Sequence, residues 1–155
     1  CIRDRADTEA LKYADLGVDS ITFHLEASSD PKSLITNLRQ RGVKAALAIK
    51  PKTPVESVFE YLDELDMVLI MTVEPGFGGQ SLIQATLDKI PVLRSAIDAC
   101  GRNVILQVDG GVTLSNIGMI SRFGADCAVA GSAVYGSGSA ADNISALKLA
   151  AANVG

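Results

Sequence analysis

The chain has 155 residues, 48% of them hydrophobic and 21% charged, which suits one domain with a full core and excludes a disordered chain. A formal net charge of -4 argues against nucleic-acid or membrane-surface partners, since an acidic surface repels both, and leaves a small anion only where local backbone dipoles hold it. Cys1, Cys100 and Cys127 show no C-x-x-C spacing, no apolar run reaches ~18 residues, and the first ten residues lack the basic start and apolar stretch of a signal peptide. The expectation is therefore a reduced, cytoplasmic protein without a disulfide framework, zinc knuckle or membrane span.

In chain order, Ala6, Ala10, Leu11 and Ala14 recur at helical spacing and stop at Gly17, which predicts a helix. "DSITFHLEA" is β-branched and aromatic and reads as a strand. "DPKSLITNLRQRG" reads as a helix with Asp30 as N-cap, Pro31 at its first position and Gly42 as its stop. "VKAALAI" is a strand, "TPVESVFEYLDEL" a helix opened by Thr53 and Pro54, and "MVLIMTV" a strand. A helix over 81–99, which Pro91 is expected to kink or divide, leads to the strand "NVILQVD". A helix over 113–123, the strand "DCAVAG" and a helix over 139–152 follow, with "GSGSAAD" as a short flexible loop. No linker divides the chain, so 1–155 reads as a single domain.

Runs as apolar as "MVLIMTV" and "ILQV" fit strands buried on both faces, hence a parallel sheet. Two architectures follow. An open, doubly wound sheet fits the length, whereas a closed (β/α)8 barrel typically takes ~200 residues or more. The strand ends favour the barrel. His24-Leu25-Glu26, Lys50-Pro51, Glu74 to Gly79, Asp109-Gly110-Gly111 and Gly131-Ser132 follow successive strands, and loops after parallel strands open on one face.

"MTVEPGFGGQ" sets a nearly bare backbone after a buried strand. A lone pair of glycines reads as a tight turn; three such loops at successive strand ends read as main-chain N–H groups gathered around an anion. Asp109, a carboxylate ending an apolar strand, calls for a cation, a proton or donors nearby, unless it is an N-cap or turn residue. His24 reads as a core or rim histidine or as a polar contact to a ligand. Lys50 either enters the pocket or snorkels, Met71 either packs or lines the pocket, and Glu74 orients its loop.

The phrases "TFHLEA", "GVKAALAIKP", "DMVLIMTVEPGFGGQ", "VDGGV" and "VAGSAVYG", in this order, resemble the ribulose-phosphate 3-epimerase family of α/β proteins, which are (β/α)8 TIM barrels. The resemblance implies that this chain supplies about strands 4 to 8, the C-terminal part of such a barrel. It further implies that Gly76, Phe77, Gly78, Gly79, Gly110, Gly111, Gly131 and Ser132 hold a substrate phosphate, and that Met71 lines the pocket. Asp109 is implied both as an acid/base and as a ligand of one divalent metal ion (zinc, iron, cobalt or manganese). The implied reaction converts D-ribulose 5-phosphate to D-xylulose 5-phosphate. A proton leaves C3, an enediolate forms, and a proton returns to the other face, so two carboxyl groups are needed. A pentulose 5-phosphate substrate and a homo-oligomer complete the expectation.

One departure is plain: no "LDxMDG"-like segment is present, and the single histidine, His24, matches a position outside the family's metal set. The opposite carboxyl group and the other metal ligands are thus missing, and these residues alone are expected to bind phosphate with little or no turnover. A six-carbon ketose-phosphate epimerase, a hexulose-phosphate lyase and a non-catalytic phosphate-binding module stay open as alternatives.

Overall fold

A computed structural model describes residues 1–152. Five parallel strands, β1 (Ser20–His24), β2 (Lys44–Ile49), β3 (Met67–Met71), β4 (Ile105–Asp109) and β5 (Cys127–Val129), pair strictly in the order of the chain. This order decides between the two architectures. Right-handed crossovers that always advance in one direction put every connecting helix on the same face, whereas a doubly wound sheet reverses direction part way. The arrangement is therefore a stretch of α/β barrel wall. At its β1 edge Ile2 adds a short parallel bridge, its N–H donating to Thr22 O at 2.8 Å.

Side-chain alternation along the strands separates two apolar sets. Ile21, Phe23, Leu47, Ile49, Val68, Ile70, Leu106 and Val108 belong to the large core, packed with helix residues such as Leu34, Leu38, Ile90 and Ile97. On the opposite face Ala48, Leu69, Met71 and Val73 form a smaller cluster. That inner face thins toward β4 and β5, where Ile105 and Val129 remain 43% and 41% exposed.

The helices follow from local chemistry. In α1 (Ala6–Ala14), Ala6, Ala10 and Ala14 are buried, and their small side chains let the helix lie close to its neighbours. In α2 (Pro31–Gln40), the Asp30 carboxylate accepts from Ser33 N–H at 3.0 Å, the N-cap that the sequence predicts, and Leu34, Ile35 and Leu38 are buried. Residues Val55–Glu64, predicted as a helix, form a 3₁₀ helix. A rise of ~2.0 Å per residue rather than ~1.5 Å lets ten residues cover more of the return path to β3, while Val55, Val58 and Leu62 still reach the core.

The helix expected over 81–99 starts only at Lys89, as α3 (Lys89–Cys100), after a single 3₁₀ turn at Gln84–Thr86. The preceding residues are tied to the sheet, Ile83 N–H donating to Thr72 O at 2.8 Å. Pro91 neither kinks nor divides α3. It is the third residue, where its missing N–H has no partner within the helix to lose. The helix predicted over 113–123 shortens to α4 (Ile117–Arg122), and a further short helix, α5 (Ser132–Tyr135), precedes α6 (Ala140–Ala152). Among the described residues no helix is long and apolar enough to cross a membrane.

Candidate functional site

The C-terminal ends of the strands share one face, and a cavity of about 480 Å3 lies there, lined by the loops after β3, β4 and β5 and by His24 at the end of β1. Gly76, Phe77, Gly78, Gly79, Gly110, Gly111, Gly131 and Ser132 all line it, as do Met71, Glu74 and Asp109. The three glycine loops predicted to converge are thus brought to one place.

Each loop is braced by its own hydrogen bonds. After β3 the Gln80 amide donates to Glu74 O at 2.7 Å and Phe77 O at 2.9 Å, closing the "EPGFGGQ" segment on itself. After β4 the buried Thr72 hydroxyl donates to Gly110 O at 2.5 Å and the Asn116 amide to Gly111 O at 2.9 Å. Carbonyls are occupied in this way, while the N–H groups of Gly76, Phe77, Gly78, Gly79, Gly110, Gly111, Gly131 and Ser132 find no acceptor among the described residues. Unpaired N–H groups around one hollow are what an oxyanion requires.

The glycines serve two purposes, where the sequence suggested one. Around Gly76, Gly78 and Gly131 a Cβ would meet nothing within 4 Å, so packing does not demand glycine there, and all three line the cavity. Gly110 and Gly111 are required by the fold itself. Both have positive φ (124° and 63°), and a Cβ on them would press on Val73 and on the backbone of Leu82.

Asp109 ends β4 and is paired with Met71 of β3 and Val129 of β5. Its half-buried carboxyl takes part in no hydrogen bond or ion pair among the described residues, and α4 begins only at Ile117, so it caps no helix. Burial holds its protonation above the ordinary carboxylate range. The carboxyl group is left to the cavity.

Met71 sits 8% exposed in the inner apolar cluster and forms part of the cavity floor. Lys50 is not brought to the cavity. Its N–H donates to Glu26 Oε1 at 3.1 Å, and its loop is held from behind by Lys89, whose ammonium donates to Lys50 O, Pro51 O and Thr53 O at 3.3, 2.7 and 2.6 Å. Lys89→Met is expected to lower unfolding stability by about 2 kcal/mol, because three carbonyls lose a charged donor; chemical denaturation measures this, and an unchanged midpoint would refute the clamp. Sequence reasoning missed Thr72, Gln80 and Asn116. Gln80 was legible as the last letter of the glycine motif, whereas the other two act through contacts no local pattern reveals.

For a divalent metal ion, this stretch offers Asp109 and little else. Among the described residues no three His, Cys, Asp or Glu side chains gather around a point. The residues present do not by themselves fit such an ion.

A family model described as "Ribulose-phosphate 3 epimerase family" matches residues 3–135. The ribulose-phosphate 3-epimerase of Escherichia coli is 46% identical over 123 residues, covering 79% of this chain and 55% of that protein. The ribulose-phosphate 3-epimerase of Mycobacterium bovis is 39% identical over 145 residues, 94% of this chain and 63% of that protein. The chain thus spans less than two thirds of the length of these relatives. Among solved structures, a 3-hexulose-6-phosphate synthase superposes with a TM-score of 0.70 over 97% of this chain and 70% of that one. At 21% identity this speaks for the barrel fold alone.

Proposed function

This chain belongs to the ribulose-phosphate 3 epimerase family, and from that premise we propose that it is the part of a pentulose-phosphate 3-epimerase that carries the phosphate cradle and one of the two acid/base groups. In this reading it corresponds to about strands 4 to 8 of the barrel. The observation that carries the proposal is the set of unpaired N–H groups from three successive loops around the cavity into which Asp109 opens.

The chemistry follows from that geometry. A phosphate monoester placed among the N–H groups of Gly76 to Gly79, Gly110, Gly111, Gly131 and Ser132 has its charge met by fixed dipoles, so an acidic protein needs no cluster of basic side chains to hold it. The sugar chain then extends over Asp109. A carboxyl group whose affinity for its proton is raised by burial is suited to take a proton from carbon next to a carbonyl and to give one back. Asp109 serves one face of C3; the group for the other face and any metal ligands beyond Asp109 belong to the remainder of the barrel.

The test is solvent exchange. The full-length protein, given ribulose 5-phosphate in deuterated water, is expected to place deuterium at C3 and to form xylulose 5-phosphate. Phosphate binding without C3 exchange would instead identify a non-catalytic module. Cleavage or rearrangement of a hexulose phosphate in preference to pentulose exchange would identify another chemistry on the same barrel.

A further inference from the structure

We propose that His24 is a substrate-binding residue of this same site, its Nε2 accepting a hydrogen bond from a hydroxyl of the sugar chain; this rests on the sugar-phosphate reading above. His24 is the last residue of β1, in register with Ala48 of β2, whose own partner is Leu69 of β3. It therefore stands on the inner face with Ala48 and Leu69, and it lines the cavity. Its ring is 1% exposed, and Nδ1 is buried without a hydrogen bond, 3.4 Å from Glu26 Oε2. A polar ring enclosed in this way has a cost, and nothing in the strand pairing requires it.

The neighbours decide the tautomer. Glu26 is anchored by its other oxygen, Oε1, which accepts from Lys50 N–H at 3.1 Å and from the Thr53 hydroxyl. Its second oxygen faces Nδ1, and an unprotonated Nδ1 there would set one lone pair against another. The ring proton belongs on Nδ1, pointing at Glu26. Burial, with the charges of Lys50 and Arg3, works against the imidazolium and outweighs Glu26, so the ring is neutral. Nε2 is then an acceptor. It makes no hydrogen bond among the described residues, and with Nδ1 turned to Glu26 it is the nitrogen of this cavity-lining ring that remains for a ligand.

An unprotonated nitrogen repels a phosphate oxygen and welcomes a hydroxyl. The unpaired N–H groups lie on the loops after β3, β4 and β5, so the phosphate belongs there and the polyol reaches toward β1. Ala48, Leu69 and Met71 make the inner face between them apolar, and the polar side chains that line the cavity on this side with His24 are Asp109 and Arg3. His24 is accordingly an element that contacts the sugar chain and not the phosphate.

The experiment uses the full-length protein with 15N-labelled histidine, the His24 signals being assigned by their loss in His24→Gln. The free protein is expected to show the Nδ1–H tautomer. Saturating ribulose 5-phosphate should shift the Nε2 resonance, and inorganic phosphate should leave it in place. In kinetics His24→Phe should raise KM about tenfold with a smaller change in kcat and an unchanged inhibition constant for inorganic phosphate, while His24→Gln, which restores an acceptor, recovers most of the loss. An Nε2 resonance unmoved by ribulose 5-phosphate, in a protein that exchanges the C3 proton, would overturn this assignment alone. Absence of exchange in the wild-type protein would sink the epimerase reading. Because the spectrum is recorded on the wild-type ring, the assignment stands or falls even where His24→Phe does not fold.

Discussion

Replacing Asp109 with asparagine in the full-length protein is expected to reduce kcat by about 10²- to 10⁴-fold, the range that a positioned general acid/base supplies, and to abolish C3 exchange to the same degree. The substitution keeps the shape of the side chain and removes only its capacity to carry a proton. The phosphate loops are braced by Thr72, Gln80 and Asn116, none of which bonds to the Asp109 side chain, so competition by inorganic phosphate should persist within a factor of about three. Stability provides a second, opposite signature. Burial raises the protonation midpoint of Asp109 in the folded state, so at neutral pH the ionised carboxylate works against folding, and it would favour folding only when protonated in acid. Asparagine removes that penalty, and the melting temperature of Asp109→Asn should equal or exceed that of the parent. A variant that kept a tenth or more of kcat would refute the role. One that lost activity together with its fold would show Asp109 to be a structural residue.

What the sequence made legible was what its local chemistry controls. Asp30, Pro31 and Gly42 mark both ends of α2 because capping and proline geometry act within one turn. The five strands were equally plain from their apolar runs. The barrel was legible from the loops at the strand ends and from the resemblance, against a length that favoured an open sheet, whereas the pairing of each strand with its successor lies in no local pattern. The 3₁₀ path of Val55–Glu64 answers to the distance between two strand ends, which no window of residues contains. Lys50 stays out of the cavity because Glu26 and Lys89, far apart in the chain, tie its loop from either side. His24 was visible as a residue, but its unpaired Nδ1 and the carboxylate beside it exist only in three dimensions.

The two kinds of glycine lead to opposite outcomes from the same substitution. Gly111→Ala should cost at least about 3 kcal/mol of stability and leave little folded protein at 37 °C, because two penalties coincide. A side chain at φ 63° is strained wherever it sits, and here the added Cβ would stand 2.8 Å from Leu82 Cα and closer still to Leu82 N. That backbone cannot withdraw freely, since the next residue, Ile83, is fastened to Thr72 O at 2.8 Å. Gly78→Ala should leave the melting temperature within about 2 °C, as its Cβ meets no atom within 4 Å and its φ is not in the left-handed range. Gly78 lines the cavity that the three loops surround and its N–H is unpaired, so a methyl group there is expected to crowd the anion, and inorganic phosphate and pentulose phosphate should both bind about tenfold more weakly or worse. Thermal melts and phosphate titrations of the two variants separate these effects. A destabilised Gly78→Ala would mean that the loop after β3 is a packing element; a stable one with undiminished phosphate affinity would move the anion away from that loop, leaving Gly131 and Ser132 as its principal holders.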